Sequence, residues 1–308
     1  MLFILTGQIQ SGKTRWLLSL LDEVRELGVL PFGVVAPGVW RRERDVVPVR
    51  SHISCGSECD FSPADVQVSG GFECEEVHEL ANVCSHLNNK VSDEQILLRA
   101  FSEDDEQVFD GMSANCATAF RDTRAQALQQ LMPHGRVDEN GLEKLGICNV
   151  LFPQERALLF AQRHDIALAR GLIDDNSQSE RAKLGWYMSN DAIEEVNRQF
   201  ARAVQIGVLE CAQECSSANK CSDTLPEQAF LVVDELGRME LMCDSGLTSA
   251  MQLLRDGAQA GCEHALVVVR EQLLDLAHEQ LGDAWGGCLD IRPDAEGKRR
   301  VLEAVGNV

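Results

Sequence analysis

The sequence predicts an α/β fold, in which a mainly parallel sheet carries helices on both faces. Short apolar runs such as MLFIL, FLVV and ALVVV have the composition of buried strands. Each is followed by a segment whose apolar residues recur at helical spacing. Strands that alternate with helices imply right-handed β-α-β crossovers and therefore parallel pairing.

The first predicted strand leads directly into a glycine-rich loop. Gly7, Gly12, Lys13 and Thr14 fill the fixed positions of the pattern G-x-x-x-x-G-K-[ST], and a segment with helical spacing follows. Such a loop binds phosphate because its amide N–H groups and the positive end of the helix dipole face the anion. The predicted nucleotide-binding residues are Gly7, Gln8, Ile9, Gln10, Ser11, Gly12, Lys13, Thr14 and Arg15.

Lys13 and Thr14 have distinct predicted roles within this loop. In the mechanism of such loops, the lysine reaches the β- and γ-phosphates and the hydroxyl coordinates Mg²⁺. Lys13 is therefore a predicted catalytic residue, and Thr14 is a predicted ligand of Mg²⁺.

A second part of the site is predicted at the end of the apolar run FLVVDE. A buried parallel strand would deliver Asp234 and Glu235 to the carboxyl edge of the sheet, where ligands of open α/β folds bind. Asp234 is the second predicted ligand of Mg²⁺, commonly through a water, and Glu235 is the candidate base or water-orienting group. Two exposed carboxylates at a strand end would explain these residues equally well if the loop were absent.

The transferring phosphoryl group also needs a positive partner, because negative charge develops on it. Arg270 ends the strand run LVVVR and is the third predicted catalytic residue. Arg41, Arg42 and Arg44, in the turn after the second strand, are alternatives. Surface solvation would explain any one of these arginines more simply.

Composition excludes several classes of protein. The net charge of -21 argues against nucleic acid or an anionic membrane as a partner, because both require basic patches. No apolar run approaches the length of a transmembrane helix, and the N-terminus lacks the features of a signal peptide. We therefore expect a soluble, cytoplasmic protein.

The negative charge is concentrated between residues 52 and 154. This region contains 18 Asp and Glu residues against 6 Lys and Arg residues, with short predicted helices joined by polar turns. It is therefore predicted to be an acidic, mostly helical insertion, with residues 1–51 and 155–308 as the core. A protein partner could bind through the insertion, or the insertion could be a passive decoration.

The two motifs together resemble a nucleoside-triphosphatase family first described from thermophiles, whose animal member is called cancer-related nucleoside-triphosphatase. The stretch VVDELGRMEL resembles the family signature D-E-[IL]-G-x-M-E-L, and the loop and its flanks agree as well. The resemblance covers residues 1–50 and 155–308. It implies a RecA-like P-loop NTPase core and Mg²⁺-dependent hydrolysis of ATP, GTP and other nucleoside triphosphates. The acidic region and Arg15, where many members have a second Thr, depart from the family pattern.

Two other functions remain open at this stage. Members of the family have been discussed as nucleotide kinases, so a nucleotide or nucleoside kinase is the first alternative. A nucleotide-dependent switch or assembly factor with slow hydrolysis is the second.

Several local expectations are less specific. The stretch at residues 185–215 is predicted to give one long amphipathic helix, with Asn190 or Asp191 available as its cap, after a polar loop at residues 174–183. Trp40 and Trp186 could stack on a base or simply pack. Twelve cysteines without C-x-x-C spacing suggest ordinary thiols, although two clusters could hold a thiophilic metal: Cys74, His78 and Cys84, and Cys211, Cys215 and Cys221.

Overall fold

The computed structural model describes residues 1–8, 11–42, 121–124, 126, 142–172, 178–181, 184–217 and 226–306. All of these residues belong to one compact unit, Met1–Glu43 with Glu106–Val308. The second unit, Arg44–Asp105, lies outside the described residues, and so do most of the predicted short helices of the acidic region.

The described residues form nine strands and nine α-helices with defined bounds, and residues 121–124 and 126 are helical as well. In chain order the strands are β1 (Leu2–Leu5), β2 (Leu30–Val35), β3 (Gly38–Arg42), β4 (Leu142–Phe152), β5 (Arg156–Arg163), β6 (Trp186–Met188), β7 (Ala229–Leu236), β8 (His264–Val269) and β9 (Cys288–Ile291). The helices are α1 (Lys13–Glu26), α2 (His164–Ala169), α3 (Gln178–Arg181), α4 (Asn190–Ile206), α5 (Val208–Ser217), α6 (Arg238–Cys243), α7 (Thr248–Asp256), α8 (Leu274–Leu281) and α9 (Ala295–Gly306).

All nine strands join one mixed sheet, in the order β6-β5-β4-β2-β7-β8-β1-β9, with β3 paired to β4. The five strands from β2 to β9 in this order are parallel to one another. The pairs β2–β4, β3–β4, β4–β5 and β5–β6 are antiparallel. The predicted α/β class is thus confirmed, and the parallel part brings the carboxyl ends of β1, β2, β7 and β8 to one edge.

The parallel strands are buried along successive residues rather than alternate ones. All four residues of β1 are buried, and so are the first six residues of β7. Because successive side chains of a strand point to opposite faces, these strands are covered on both sides. On one face, the rings of Phe32 in β2 and Phe200 in α4 meet edge to face with centroids 5.8 Å apart.

Helix α1 places its apolar side chains at the spacing that the sequence indicated. Its buried residues are Leu17, Leu18, Leu20, Leu21 and Val24, which form one stripe along the helix. The helix ends at Glu26, next to Gly28 with φ 81°, a left-handed conformation that favours glycine. The predicted strand and helix at the N-terminus are confirmed as elements.

The core sheet resumes earlier in the chain than the sequence suggested. Residues Leu142–Phe152, which the prediction placed in the acidic insertion, form β4 and pair with both β2 and β3. Most of β4 is buried, including Leu145, Val150 and Leu151. Its length of 11 residues and its position beside β2 make it part of the core sheet. The apolar run GICNVLF signals this strand, but the charge count across the wider region concealed it.

The segment predicted as one long helix contains a strand and two helices. Tyr187 lies in β6, and Ser189 rather than Asn190 or Asp191 caps α4, accepting a hydrogen bond from the Ala192 N–H at 3.3 Å. Gly207, with φ 90°, separates α4 from α5. Glycine adopts this conformation without the steric cost of a Cβ atom, which explains the break. In the preceding polar stretch, Gln178–Arg181 is helical.

No helix among the described residues combines the length and apolar character that crossing a membrane requires.

Candidate functional site

The loop between β1 and α1 carries the predicted phosphate-binding residues. Gly7 and Gly12 have φ values of 152° and 79°, and Gly12 immediately precedes the first helical residue, Lys13. Helix α1 has no side-chain cap and no acidic residue in its first turn. The positive end of its dipole is therefore not neutralised locally, which favours an anion at this point. Ile9 and Gln10 lie outside the described residues.

Lys13 folds back onto this loop. Its Nζ donates hydrogen bonds to the carbonyl oxygens of Gly7 at 2.9 Å and Gln8 at 2.7 Å. Partial burial lowers the pKa of Lys13, the charges of Asp234 and Glu235 oppose this shift, and that of Arg270 adds to it. The loop lysine therefore experiences the charges of Asp234, Glu235 and Arg270, three other charged side chains that the sequence predicted for the site.

Thr14 and Asp234 connect the loop to the acidic end of β7. The Thr14 hydroxyl donates to Asp234 Oδ2 at 3.2 Å, and the Ala36 backbone N–H donates to the same oxygen at 3.0 Å. Asp234 is only 3% exposed, and its Oδ1 has no hydrogen-bond partner among the described residues. Burial, reinforced by the neighbouring charge of Glu235, raises the pKa of Asp234 to about 7. A buried carboxylate oxygen without a partner is costly, and a bound cation or water would relieve that cost.

Glu235 occupies an irregular end of its strand. Its φ of 61° lies in the left-handed region, and the pairing of β7 with β8 shifts register between Val233 and Leu236. A non-glycine residue in this conformation costs on the order of 1 kcal/mol, and irregularities of this kind re-aim side chains at sheet ends. Asp234 is buried and Glu235 is exposed, so the two adjacent carboxylates occupy different environments.

Arg270 follows β8 at the same edge, and a second arginine accompanies it. Arg292, which follows β9, donates to Glu271 Oε1 at 2.6 Å. A Cβ atom built on Gly7 would lie 3.9 Å from Arg292 Nη1, so this guanidinium is beside the loop. The sequence analysis did not select Arg292. Its position directly after the last strand of the parallel sheet was the available signal.

Lys144 is a second residue that the sequence analysis missed. It lies in β4, contributes a smaller, opposing effect to the pKa of Asp234 and places its Nζ 5.4 Å from the centroid of the Trp186 ring. A Cβ built on Gly38 would meet both Trp40 Nε1 and Lys144 Cε, so the two side chains are close. Both predicted tryptophans therefore contact Lys144. The residue was overlooked because it falls in the region assigned to the insertion.

Glu240 braces the turn after the acidic strand. Its Oε2 accepts from the Gly237 N–H at 3.0 Å, and its Oε1 accepts from the Leu247 N–H at 3.1 Å. Burial raises the pKa of Glu240, and these two backbone donors oppose the shift. The carboxylate thus holds α6 and the start of α7 against the end of β7.

The other candidate residues either end β3 or lie outside the described residues, apart from Cys211 and Cys215 on α5. Arg41 and Arg42 are the last two residues of β3. Outside the described residues lie Arg44, Cys74, His78, Cys84 and Cys221. A hydrogen bond with Cys211, one turn away on α5, lowers the pKa of Cys215. Within the described part of the chain, no group of three or more His, Cys, Asp or Glu residues is placed to hold a metal ion.

Comparison of the chain with protein-family models, curated proteins and solved structures finds no match in any of the three.

Proposed function

We propose that the protein is a Mg²⁺-dependent nucleoside triphosphatase that converts nucleoside triphosphates to diphosphates and inorganic phosphate. The observation that carries the proposal is the hydrogen bond between Thr14 and Asp234, because it joins the glycine-rich loop to the acidic strand end. These two features are far apart in the sequence but form one cluster at the carboxyl edge of the parallel strands. Ligands of open α/β sheets bind at this edge.

The loop supplies the phosphate-binding groups. The uncapped start of α1 presents its N-terminal dipole to an anion, and Lys13 lies within the same loop. The Lys13 ammonium donates hydrogen bonds to two loop carbonyls. On nucleotide binding it would exchange these neutral acceptors for the β- and γ-phosphate oxygens, which form stronger, charge-assisted hydrogen bonds.

The chemistry of Asp234 and Thr14 fits Mg²⁺. Oδ1 of Asp234 is buried without a partner among the described residues, and the Thr14 hydroxyl lies beside the other carboxylate oxygen. Mg²⁺ is commonly bound by one or two carboxylates together with waters and substrate phosphates, so a larger cluster of protein ligands is not required. When bound, Mg²⁺ supplies charge neutralisation of the β- and γ-phosphate oxygens.

Glu235 is the group that we assign to the attacking water. It is exposed beside the buried Asp234, so it can contact water and substrate while Asp234 contacts the cation. A positioned carboxylate that accepts a proton from water contributes about 10² to 10⁴ in rate. The irregular end of β7 serves to aim this side chain.

Arg270 and Arg292 are the cations available for the charge that develops on the transferring phosphoryl group. Arg270 is close enough to Lys13 to lower the pKa of that lysine, and Arg292 lies beside Gly7. We assign the transition-state role to Arg270. Arg292, held by Glu271, is assigned to orienting the bound phosphates.

The family and the finer fold are part of the same proposal. The motifs GQIQSGKT and DELGRMEL support membership of the thermophile-type nucleoside-triphosphatase family. The parallel strands β1 and β7, which carry the two motifs and have β8 between them, support a RecA-like core. The second unit, Arg44–Asp105, is then an addition to that core, available to a protein partner.

The test is phosphate release with Mg²⁺ from ATP, GTP, CTP and UTP, with and without nucleoside and nucleotide acceptors. We expect free phosphate from several triphosphates in the absence of acceptor. Lys13→Ala and Glu235→Gln should each reduce the rate by about 10²-fold or more. Arg299→Gln, which removes an exposed cation on α9, is the matched control and should leave the rate unchanged.

Two outcomes would contradict the proposal. Phosphate that appears on an acceptor and not in solution would identify a kinase. Tight binding of triphosphate with no release of phosphate would favour the switch, whose turnover a partner protein would have to stimulate.

A further inference from the structure

A cysteine, a histidine and an aspartate form a line at the end strand of the described sheet. Cys288 and Asp290 belong to β9, and His278 belongs to α8. The Nδ1 atom of His278 lies 2.8 Å from Cys288 Sγ, and its Nε2 lies 2.9 Å from Asp290 Oδ1. Cys288 and Asp290 are two residues apart on one strand and therefore share a face, and α8 places the imidazole between them.

The contact with Asp290 determines which nitrogen of a neutral His278 carries the proton. A carboxylate only accepts hydrogen bonds, so Nε2 must be the donor toward Asp290. Nδ1 is then the acceptor and faces the Cys288 thiol. This is the arrangement of a nucleophile, a base and a group that orients the base.

The surroundings of the thiol favour this arrangement over a resting thiolate. Burial, the charge of Asp290 and the charge of Asp283 together raise the pKa of Cys288. The thiol therefore keeps its proton until it reacts, and a base is needed to remove that proton during attack. Asp290 would then stabilise the imidazolium that forms.

The thiol is also accessible. Cys288 is partly exposed, and the two residues before it are Gly286 and Gly287. A Cβ atom built on either glycine would meet nothing within 4 Å, so the backbone that leads into Cys288 is not crowded; on the other side, a Cβ atom built on Gly282 would lie 3.4 Å from Cys288 Sγ. The whole group is built on residues that the proposed triphosphatase chemistry does not use.

We propose that Cys288, His278 and Asp290 form a second reactive site, in which Cys288 is a nucleophilic thiol that soft carbon electrophiles modify covalently. In the reaction with a haloacetamide, the sulfur forms a bond to the methylene carbon and the carbon–halogen bond breaks. Halide leaves with the bonding electron pair, and the thiol proton passes to His278 Nδ1. Asp290 accepts the hydrogen bond from Nε2 throughout.

The test is the rate of alkylation of each cysteine in the full-length protein by iodoacetamide, measured by peptide mass spectrometry at neutral pH. Cys243, exposed at the end of α6, serves as the internal reference thiol. We expect Cys288 to react about ten-fold faster than Cys243 although it is less exposed, because base assistance outweighs its partial burial. In denaturant the two rates should become similar.

His278→Gln removes the base and should lower the alkylation rate of Cys288 by about ten-fold, while the alkylation rate of Cys243 stays unchanged. Asp290→Asn distinguishes the two possible roles of the carboxylate. If Asp290 supports the base, the variant lowers the alkylation rate of Cys288. If its charge merely suppresses the thiolate, the variant raises that rate. Glu279→Gln removes one exposed carboxylate from the same helix and should leave the rate unchanged.

Three results would overturn the proposal. The first is a wild-type Cys288 rate no greater than that of Cys243, the second is an unchanged rate in His278→Gln, and the third is acceleration in Asp290→Asn. The Asp290 variant keeps the test decisive if His278→Gln does not fold.

Discussion

Asp234 should make the folded protein less stable as the pH rises, and replacing it by asparagine should remove that dependence. The carboxyl group is 3% exposed, and burial is the main reason that its pKa is raised to about 7 from an ordinary value of 3.8. The folded state therefore holds this proton more tightly than the unfolded state does. Stability is then highest at low pH and falls between the ordinary value and the raised one.

The size of the effect follows from these two values. Each pH unit within the window changes the free energy of unfolding by at most about 1.4 kcal/mol. Between about pH 5 and about pH 8, the Asp234 carboxyl group should lower the stability of the wild type by about 2 to 3 kcal/mol. Asp234→Asn has no such proton, so its stability relative to the wild type should rise by the same amount over that interval.

The assay is unfolding by denaturant at both pH values, for the wild type, Asp234→Asn and the control Glu194→Gln, an exposed carboxylate on α4. Comparing the two pH values cancels any constant cost of placing an amide in this site. Mg²⁺ added at the higher pH should stabilise the wild type and not Asp234→Asn, because a bound cation favours the ionised carboxylate. A difference between wild type and Asp234→Asn that does not change with pH would refute the reasoning.

Three further predictions concern backbone and charge. Gly33→Ala should lower the free energy of unfolding by several kcal/mol in denaturant, because the new Cβ atom would lie 1.8 Å from Val232 O and the backbone has a φ of +135°. Gly28→Ala is the control: a Cβ atom there meets open space, so this variant should cost only about 1 kcal/mol. Glu240→Ala removes the acceptor of two backbone N–H groups and should cost about 2 kcal/mol or more in the same assay; an unchanged midpoint would disprove the bracing role. In steady-state phosphate release, Arg292→Ala should raise KM for the triphosphate more than it lowers kcat. Arg270→Ala should lower kcat more than it raises KM.

Local sequence patterns predicted much of the fold because the parallel strands have a direct signature. In a continuous apolar run such as the one that ends at Asp234, both faces of the strand carry apolar side chains. Burial of both faces was therefore predictable from composition. The helix α1 was similarly readable from its apolar stripe. These elements bring Thr14 and Asp234 into hydrogen-bond contact, which is the juxtaposition that the two motifs predicted.

The missed features depend on tertiary pairing or on single residues. Strand β4 is antiparallel and lies next to acidic sequence, so the average charge of the region outweighed its short apolar run. The division of α4 from α5 depends on Gly207 alone, which a window of helical spacing does not detect. Arg292 and Lys144 reach the site only because β9 and β4 take their places in the sheet. The line of Cys288, His278 and Asp290 likewise has no sequence signature, because a helix residue meets two strand residues.

The most direct test of the central claim is a double-mutant cycle on Thr14 and Asp234, with phosphate release from Mg²⁺-ATP as the measured rate. If both side chains serve the same cation, removing either one should cost most of the activity. Thr14→Ala combined with Asp234→Ala should then be little worse than the more damaging single variant. Losses that multiply in the double variant would show two independent contributions, and a wild type that releases no phosphate would contradict the proposed function itself.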